Sequence, residues 1–229
     1  MSLRVLTWNL WHGRALPPRD EDLLDAFAAR LASWSWDVAL LQEVPPWWPH
    51  ALARACGAEE RHALTSRNAL LPLRRVVARR HPELLKANGG GCNAILVRGL
   101  GGVRVHARRR LRVWPERRVV HAVRVGEGCW FTNLHASTGR GASTLRDVAL
   151  ARATAMRWAG DAPLVLGGDF NVEQPAMPSF AHAGGSRIDH VYARGLAPVG
   201  PVVVLDRGAL SDHAPLLVTI DPSSALSRT

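Results

Sequence analysis

Short apolar runs, each ending in polar residues, recur along the whole chain. Their lengths suit buried strands, and glycine and proline separate many of them. They predict strands over residues 3–8, 37–41, 93–97, 103–113, 118–125, 130–134, 164–166, 187–192, 202–205 and 216–220. No internal repeat or interdomain linker interrupts the pattern, so we expect one domain over residues 1–221 and a flexible tail over 222–229.

Apolar residues at helical spacing occupy several gaps between these runs. Helices are predicted over residues 20–34, 46–56 and 143–159. Thr144 and Asp147 fit a capping box at the start of the last of these helices. Residues 61–83 fit neither the helical nor the strand period, and we assign them no element.

The predicted strand over residues 103–113 alternates between basic and apolar positions. Because alternate side chains of a strand point to opposite faces, one face would be strongly basic. That face would carry Arg104, His106, Arg108, Arg110 and Arg112. We therefore predict that Arg108, Arg110 and Arg112 contact phosphate groups of a substrate.

Several motifs at the ends of apolar runs combine carboxylate, amide and imidazole groups. They are Thr-Trp-Asn at 7–9, Leu-Gln-Glu at 41–43, Asn-Leu-His at 133–135, Gly-Gly-Asp-Phe-Asn at 167–171, Ile-Asp-His at 188–190 and Ser-Asp-His at 211–213. Each motif alone is weak evidence, because a turn or a helix cap explains it as well. Strands that share a core place their ends along one rim, so the set predicts a single site.

Three carboxylates in these motifs, Glu43, Asp169 and Asp212, stand beside apolar strands. Carboxylates near a core need a partner, and a hard divalent cation is the usual partner of several together. A cation held by few carboxylates keeps positions open for water and phosphate oxygen, which is typical of magnesium. We predict Mg²⁺ as the cofactor, with Mn²⁺ as the alternative, and Glu43 and Asp212 as ligands.

The glycine-rich motif places Asp169 and Asn171 two residues apart, after glycines that allow close backbone approach. Asp169 can orient or deprotonate an attacking water, and Asn171 can donate a hydrogen bond to a phosphoryl oxygen. A tight turn would explain the glycines but not both polar residues. We predict that both residues are catalytic.

The histidines of the motifs have different predicted roles. His213 needs an acceptor that fixes its tautomer, and Asp189 is the candidate. The pair can then act as a general base or stabilise the transition state. His135 is predicted to contact the phosphate or the leaving group, whereas His190 points away from Asp189 on its strand and is assigned a structural role.

Two asparagines complete the predicted site. Asn9 ends the first strand, and we place it in the metal site, where it would orient Glu43 or a water on the metal. Asn93 follows three glycines and is a candidate for substrate contact, although a turn role explains it equally well.

The charge of the chain is concentrated in one segment. Residues 61–124 contain 15 arginines and one lysine against two glutamates, a net charge of +14, whereas the whole chain carries +10. A basic surface of this kind is typical of proteins that bind nucleic acid, but a solvated face or contact with an anionic membrane would also explain it.

The remaining composition narrows the class of protein. Hydrophobic residues make up 47% of the chain, as expected of a folded core rather than disorder. No apolar run reaches the roughly 18 residues of a membrane span, and no secretory leader is recognisable. Three widely spaced cysteines favour reduced thiols. We expect a monomeric cytoplasmic protein.

The motifs as a set resemble the endonuclease/exonuclease/phosphatase superfamily, which includes deoxyribonucleases, abasic-site endonucleases, neutral sphingomyelinases and inositol polyphosphate 5-phosphatases. The resemblance extends from Thr7 to Leu217. It implies an α+β fold, a four-layer sandwich in which two mostly antiparallel sheets face each other and helices lie outside. The Asn-Leu-His motif is closer to the deoxyribonuclease and sphingomyelinase members.

The resemblance also implies roles for individual residues. Asn9 and Glu43 match the metal-site pair of the superfamily. The water-activating aspartate and the phosphate-contacting asparagine match Asp169 and Asn171. The aspartate that supports the catalytic histidine matches Asp189, and the closing Asp-His pair matches Asp212 and His213.

Together, these observations predict a hydrolase that cleaves phosphoester bonds with the help of a divalent metal. A nuclease acting on phosphodiester bonds is our first hypothesis, because of the basic segment. A lipid phosphodiesterase or a small-molecule phosphomonoesterase is the alternative, with an anionic lipid or a phosphorylated small molecule as substrate. An inactive relative that only binds nucleic acid is a third hypothesis, which the complete polar set disfavours.

Overall fold

A computed structural model describes residues 2–65, 68, 70–80, 91–126, 128–139 and 141–221. The predicted tail at 222–229 and most of the glycine turn before Asn93 lie outside the described residues. The strands are β1 (Leu3–Asn9), β2 (Val38–Val44), β3 (Glu59–Leu64), β4 (Cys92–Val97), β5 (Val103–Arg112), β6 (Arg118–Val125), β7 (Cys129–His135), β8 (Leu164–Asp169), β9 (Ala181–Ser186), β10 (Asp189–Arg194), β11 (Ala197–Val204) and β12 (Leu216–Asp221).

The helices of the described residues connect or precede these strands. They are α1 (Leu24–Ser33), α2 (Pro49–Ala55), α3 (Leu71–Arg80) and α4 (Ala142–Ala159). A short 3-10 turn follows β1 at Trp11–Gly13. None of the described helices has the length and apolar character needed to cross a bilayer.

The strands form two six-stranded sheets. Sheet 1 has the order β11–β12–β1–β2–β4–β3, and sheet 2 has the order β5–β6–β7–β8–β10–β9. Each sheet contains one parallel pair, β1–β2 in sheet 1 and β7–β8 in sheet 2, and its other neighbours are antiparallel. Parallel neighbours need a crossover, and here α1 and α4 supply it.

Three apolar layers hold the sandwich together. The layer between the sheets is formed by side chains such as Leu40, Ile95, Phe131 and Val165, all without exposed surface. The helices α1 and α2 cover the outer face of sheet 1, and α4 covers the outer face of sheet 2. The predicted four-layer sandwich of two facing sheets with helices outside is confirmed.

Two buried amides join the sheets near the ends of β2 and β7. The Nδ2 atom of Asn133 donates to the carbonyl oxygens of Leu41 and Ala94, at 2.8 and 2.9 Å. Its Oδ1 atom accepts from Nε2 of Gln42 at 2.8 Å. Both side chains are fully buried, so this network fixes the position of β2 relative to β7.

Most predicted elements are present with bounds that differ by a few residues, but β3, β9 and α3 were not predicted. The capping-box prediction for α4 is wrong. Gly141 precedes the helix without a side-chain cap, and Thr144 donates to the carbonyl oxygen of Ser137. The carboxylate of Asp147 accepts hydrogen bonds from the backbone and hydroxyl of Ser137, so it belongs to a buried loop contact.

Cys56, Cys92 and Cys129 are all free thiols, as their spacing predicted. Burial raises the pKa of the Cys129 thiol to about 12. These thiols therefore stay protonated at neutral pH and act as apolar side chains.

Candidate active site

The predicted motifs meet at one end of the sandwich, where strands of both sheets end. Asn9 closes β1, and Glu43 lies near the end of β2. In sheet 2, His135 and Asp169 are register partners at the ends of β7 and β8, and Asp169 is also paired with Asp189 at the start of β10. The pairing of strands thus brings together residues that are far apart in the sequence.

Asp169 lies at the centre of this cluster, and its side chain is almost completely buried. Its Oδ2 atom accepts a hydrogen bond from Nδ2 of Asn9 at 3.0 Å, and its Oδ1 atom accepts from the backbone N–H of Asn171 at 2.9 Å. Burial and the neighbouring charge of Asp189 raise the pKa of Asp169 to about 7. A carboxylate with this pKa exchanges protons near neutral pH, as a general base must.

His213 is held against Asp169 by Asp189, as the sequence predicted. The Nδ1 atom of His213 is 2.7 Å from Oδ2 of Asp189, and its Nε2 atom is 3.9 Å from Oδ2 of Asp169. Burial alone would lower the pKa of His213, but the hydrogen bond and charge of Asp189 outweigh it and raise that pKa to about 9. At neutral pH His213 is therefore an imidazolium.

A strained turn positions His213. Ser211 has a φ of +62°, in the left-handed region, and its hydroxyl donates to the backbone oxygen of Asn9 at 2.6 Å. The same hydroxyl accepts from the backbone N–H of His213 at 3.1 Å, and Nε1 of Trp8 donates to the backbone oxygen of His213 at 3.0 Å. These contacts attach the last motif of the sequence to the first.

His135 has an environment opposite to that of His213. Its Nε2 atom is 3.6 Å from both Oε1 of Glu43 and Oδ2 of Asp169. The guanidinium of Arg118 contacts its ring, with Nη1 3.0 Å from Nδ1. Complete burial and the charge of Arg118 lower the pKa of His135 well below its usual value. At neutral pH His135 is therefore uncharged, and its ring offers one hydrogen-bond acceptor and one donor.

Glu43 faces His135 from sheet 1. It has a φ of +50°, and the pairing of β2 with β4 shifts register between Leu41 and Val44. This irregularity turns the side chain into the cleft, where Oε2 is 3.0 Å from Nε2 of His12. Backbone strain of this kind is typical of functional sites.

Asn171 adopts a φ of +52° directly after Asp169 and Phe170. Its Nδ2 atom donates to the backbone oxygen of Ala136 at 3.1 Å, which leaves one amide proton for a ligand. Its side chain also borders a cavity of about 450 Å³. The predicted contact with a phosphoryl oxygen is compatible with this geometry and stays a prediction.

Asn9 contacts Asp169 rather than Glu43, which was one of the two partners that we predicted for it. Its amide nitrogen donates to Asp169, and its Oδ1 atom accepts the backbone N–H of Trp11 at 2.9 Å. It therefore orients Asp169 rather than Glu43. Asp212 lies on the rim with 43% of its side chain exposed, and its Oδ1 atom is 3.9 Å from Nε2 of His213.

The donor set fits a divalent cation. One ligand atom each from Asp169, Asp189 and His213 lie within 4.8 Å of one another. As an imidazolium, His213 offers no lone pair to a cation, whereas Oδ1 of Asp189 is buried without a hydrogen-bond partner. Carboxylate oxygens of Asp169, Glu43 and Asp212 complete a set that hard cations prefer. A cation there would also offset the cost of burying Asp169 as an anion.

Three residues of the site were missed by sequence reasoning: His12, Arg14 and Arg118. Arg14 interacts electrostatically with both Glu43 and Asp212, while burial lowers its pKa. Arg118 is 4% exposed, and its Nη2 atom donates to Oε2 of Glu116 at 2.6 Å. A signal for Arg118 existed, because an arginine that begins an apolar strand needs a partner at the end of the neighbouring strand.

The predicted basic face of β5 is only partly present. The alternation put Arg112 on the same face as Arg110, but the register of the β5–β6 pair shifts between these two residues. The Nη2 atom of Arg112 instead contacts Asp147 of α4 at 3.2 Å. His106 points between the sheets, where its Nε2 atom is 3.3 Å from Nδ1 of His121. Arg112 therefore faces the helix layer rather than a substrate.

Asn93 is also placed differently from our expectation. Its side chain has no exposed surface, and Nδ2 donates to the backbone oxygen of Val119 at 3.2 Å. It joins β4 to β6 inside the sandwich. Its Oδ1 atom is buried without a hydrogen-bond partner, and the predicted contact with a substrate stays a prediction.

Arg108 and Arg110 line a groove of about 530 Å³ between the edge strands of the two sheets. We call it the edge-strand groove. Its walls include Ala63 and Leu64 of β3, Arg108 and Arg110 of β5, and Arg117. Arg117 of the groove directly precedes Arg118, which contacts His135 in the active site.

The pKa of His213 provides a test of the Asp189 contact. In protein freed of metal by a chelator, Asp189→Asn is expected to lower that pKa from about 9 towards its usual 6.5, because only the charges of Asp169 and Asp212 then oppose the effect of burial. Proton NMR of the imidazole during a pH titration measures it. Since the folded pKa is the higher one, the stability that this pair contributes is complete below pH 6.5 and is lost as the pH rises through about 9.

A matched control for this titration is Asp212→Asn. Asp212 also lies near His213, but it is more exposed and makes no hydrogen bond with the ring. We expect it to lower the pKa of His213 less than Asp189→Asn does. Equal shifts in the two variants would contradict the assigned contact.

Comparisons with known proteins agree with this fold. The model of the Endonuclease/Exonuclease/phosphatase family matches residues 6–213. The solved structure of the endonuclease/exonuclease/phosphatase from Beutenbergia cavernae DSM 12333 has a TM-score of 0.72 at 20% identity, covering 96% of this chain and 71% of that chain. No curated protein sequence matches the chain.

Two further solved structures share the fold. TDP2 from C. elegans has a TM-score of 0.70 at 15% identity, covering 96% of this chain and 75% of that chain. The mannosyl-6-phosphatase from Bacteroides thetaiotaomicron VPI-5482 has a TM-score of 0.67 at 16% identity, covering 95% of this chain and 99% of that chain. Since the family model spans nearly all of the sequence, the chain belongs to the Endonuclease/Exonuclease/phosphatase family.

Proposed function

We propose that this protein hydrolyses phosphodiester bonds of nucleic acids with the help of a divalent cation. The family generally consists of metal-dependent phosphoester hydrolases. The observation that carries the proposal is the convergence of Asp169 with the Asp189–His213 pair in one cleft, with distances of 2.7 and 3.9 Å at the two contacts of His213. These groups supply a base and a cation beside each other.

We assign to Asp169 the activation of the attacking water. Its pKa of about 7 allows it to take a proton at neutral pH, and hydrogen bonds from Asn9 and Asn171 hold its two oxygens in fixed directions. A fixed base of matched pKa lowers the barrier to proton transfer. Water bound against Oδ2 would then be directed at the phosphorus.

We assign to His213 and Arg118 the stabilisation of the negative charge on the phosphoryl group. His213 is protonated at neutral pH and lies on one side of Asp169, and His135, with Arg118 behind it, lies on the other. Positive groups fixed around a developing negative charge stabilise the transition state without reorganisation. The opposite pKa shifts of His213 and His135 make one a cation and the other neutral.

The cation itself would supply Lewis-acid stabilisation of the phosphoryl oxygens. Glu43 and Asp212 are the carboxylates that would hold it, and Asn9 would contribute the free lone pair of its Oδ1 atom. Mg²⁺ suits a site of few carboxylates with room for water, and Mn²⁺ has similar ligand preferences.

We favour nucleic acid as the substrate because of the positive charge beside the site. Arg108 and Arg110 are exposed in the edge-strand groove and form no ion pair with a described residue. Phosphate contacts by such arginines are largely independent of base sequence. A lipid phosphodiester or a phosphomonoester would need fewer cations outside the catalytic cleft, so we place these substrates second.

A substrate panel with added and removed metal tests the proposal. We expect cleavage of single-stranded and duplex DNA or of RNA with Mg²⁺ or Mn²⁺, and complete loss of cleavage with a chelator. Sphingomyelin, inositol phosphates and a phosphorylated sugar form the other arms of the panel. Hydrolysis of one of these without cleavage of any nucleic acid would refute the nuclease assignment, and activity that survives the chelator would refute the metal.

A further inference from the structure

The hairpin between β5 and β6 carries an exposed tryptophan. Trp114 is 78% exposed and Val113 is 64% exposed, although large apolar side chains usually pack inside. Other tryptophans of the chain follow the usual rule and are buried: Trp8, Trp36, Trp48 and Trp130. An exposed indole of this kind is available for a ligand.

The base of this hairpin is anchored on two sides. Arg118 contacts both Glu116 and the ring of His135, which attaches the hairpin to the catalytic cleft. Arg117 donates from Nε to the backbone oxygen of Thr65 at 2.6 Å, which attaches it to the end of β3. Trp114 thus belongs to a hairpin whose base is attached to the catalytic cleft, while its own side chain stays exposed.

The edge-strand groove adjoins the base of the same hairpin, because Arg117 lines it. Arg108 and Arg110 stand two residues apart, roughly 7 Å along a strand. Successive phosphates of an extended nucleic-acid strand are separated by a similar distance. The described residues that line the groove include arginines and a histidine but no carboxylate. Glu60 contacts the lining His62 at 2.9 Å, but Arg108 and Arg110 form no ion pair with a described residue, so both keep their charge for a ligand.

We propose that the edge-strand groove and Trp114 together bind a single-stranded nucleic acid. Its phosphates would follow Arg108, Arg110 and Arg117, and an unpaired base would stack on the indole of Trp114 next to the catalytic cleft. This inference rests on the proposed nuclease function and specifies its substrate. A cationic groove combined with an exposed aromatic platform is the usual way in which proteins bind single strands.

An anionic membrane could also attract arginines and an exposed tryptophan. The geometry favours a single strand, because Arg108 and Arg110 lie in a groove between β3 and β5, whereas a membrane is a broad surface. A paired base could not offer its face to Trp114 without leaving the duplex. Duplex DNA is therefore expected to bind less tightly than a single strand.

Binding measured with the chelator present tests this inference without cleavage. The probes are a fluorescent oligothymidylate of about 12 nucleotides and an oligomer of equal length in which the bases are absent. Trp114→Ala is expected to weaken binding of the first probe about 5- to 100-fold and to leave the second unchanged. Trp114→Phe, which keeps an aromatic face, should restore most of the affinity.

The arginines need their own matched control. The double variant Arg108→Gln/Arg110→Gln is expected to weaken both probes and to flatten the dependence of affinity on salt. Arg54→Gln/Arg157→Gln removes the same charge from exposed positions on α2 and α4, and it should weaken binding far less. Equal losses in the two double variants would overturn the groove assignment.

The remaining outcomes separate this inference from the proposed function. Cleavage of nucleic acid by the unaltered protein, with probe affinities that Trp114→Ala and the groove variant leave unchanged, would overturn the inference and leave the nuclease proposal standing. Selective losses of probe binding without any nuclease activity would support the inference and refute the nuclease proposal. Binding to vesicles of phosphatidylcholine and phosphatidylserine that Trp114→Ala abolishes, with oligothymidylate binding unchanged, would assign the hairpin to a membrane instead.

Discussion

Asp169→Asn is expected to lower phosphoester hydrolysis about 10²- to 10⁴-fold while the protein stays folded. The substitution removes the base assigned to the attacking water but keeps the size of the side chain. Burial disfavours the charge of Asp169, as its pKa of about 7 shows, so loss of that charge should not destabilise the fold. The turnover number of the best substrate in the panel and the melting temperature measure the two effects.

Asp161→Asn is the control for this experiment. Asp161 is exposed just after α4, and its replacement removes the same charge without touching the cleft. We expect its turnover to equal that of the unaltered protein. If Asp169→Asn retained more than a tenth of the activity, Asp169 would not be the base.

Gly168→Ala is expected to destabilise the protein by more than about 4 kcal/mol or to prevent folding. Gly168 has a φ of +137°, and a Cβ atom there would lie 1.9 Å from the backbone oxygen of Leu134. The obstacle is the backbone of the neighbouring strand β7, which cannot rotate away as a side chain can. Soluble yield and unfolding in urea measure the loss.

Gly57→Ala separates this steric effect from backbone strain alone. Gly57 also has a positive φ, +60°, but nothing lies within 4 Å of the position of an added Cβ atom. We expect a loss of only about 1–2 kcal/mol, the usual cost of left-handed backbone for alanine. Comparable losses at both positions would show that the approach of β8 to β7 is looser than described.

Local signals in the sequence predicted most strands and the meeting of distant motifs, whereas the sandwich was predicted from the resemblance of those motifs to the superfamily. Apolar runs define the buried strands, and Asp169, Asp189 and His213 follow or precede such runs. The strands β3 and β9 lack this signal. Their sequences are Glu-Glu-Arg-His-Ala-Leu and Ala-His-Ala-Gly-Gly-Ser, and they form because edge positions of the sheets pair with them.

Other features depend on contacts that no local pattern contains. The alternation of β5 implied that Arg112 shares a face with Arg110, but a register shift and the buried carboxylate of Asp147 turn it towards α4. Arg118 joins the active site only because β6 lies beside β7, so that its guanidinium reaches His135. The exposure of Trp114 is likewise set by where the hairpin ends.

The buried pair of Gln42 and Asn133 has a consequence for how the protein can change in evolution. Glu43 directly follows Gln42, and His135 lies two residues beyond Asn133, so the spacing between opposing catalytic groups is set by two side chains that no substrate ever reaches. Under the proposed function, changes in the loops at the rim could therefore alter specificity while the distance between Glu43 and His135 stays constant. Substitutions of Gln42 or Asn133 are therefore expected to change turnover before they change substrate preference.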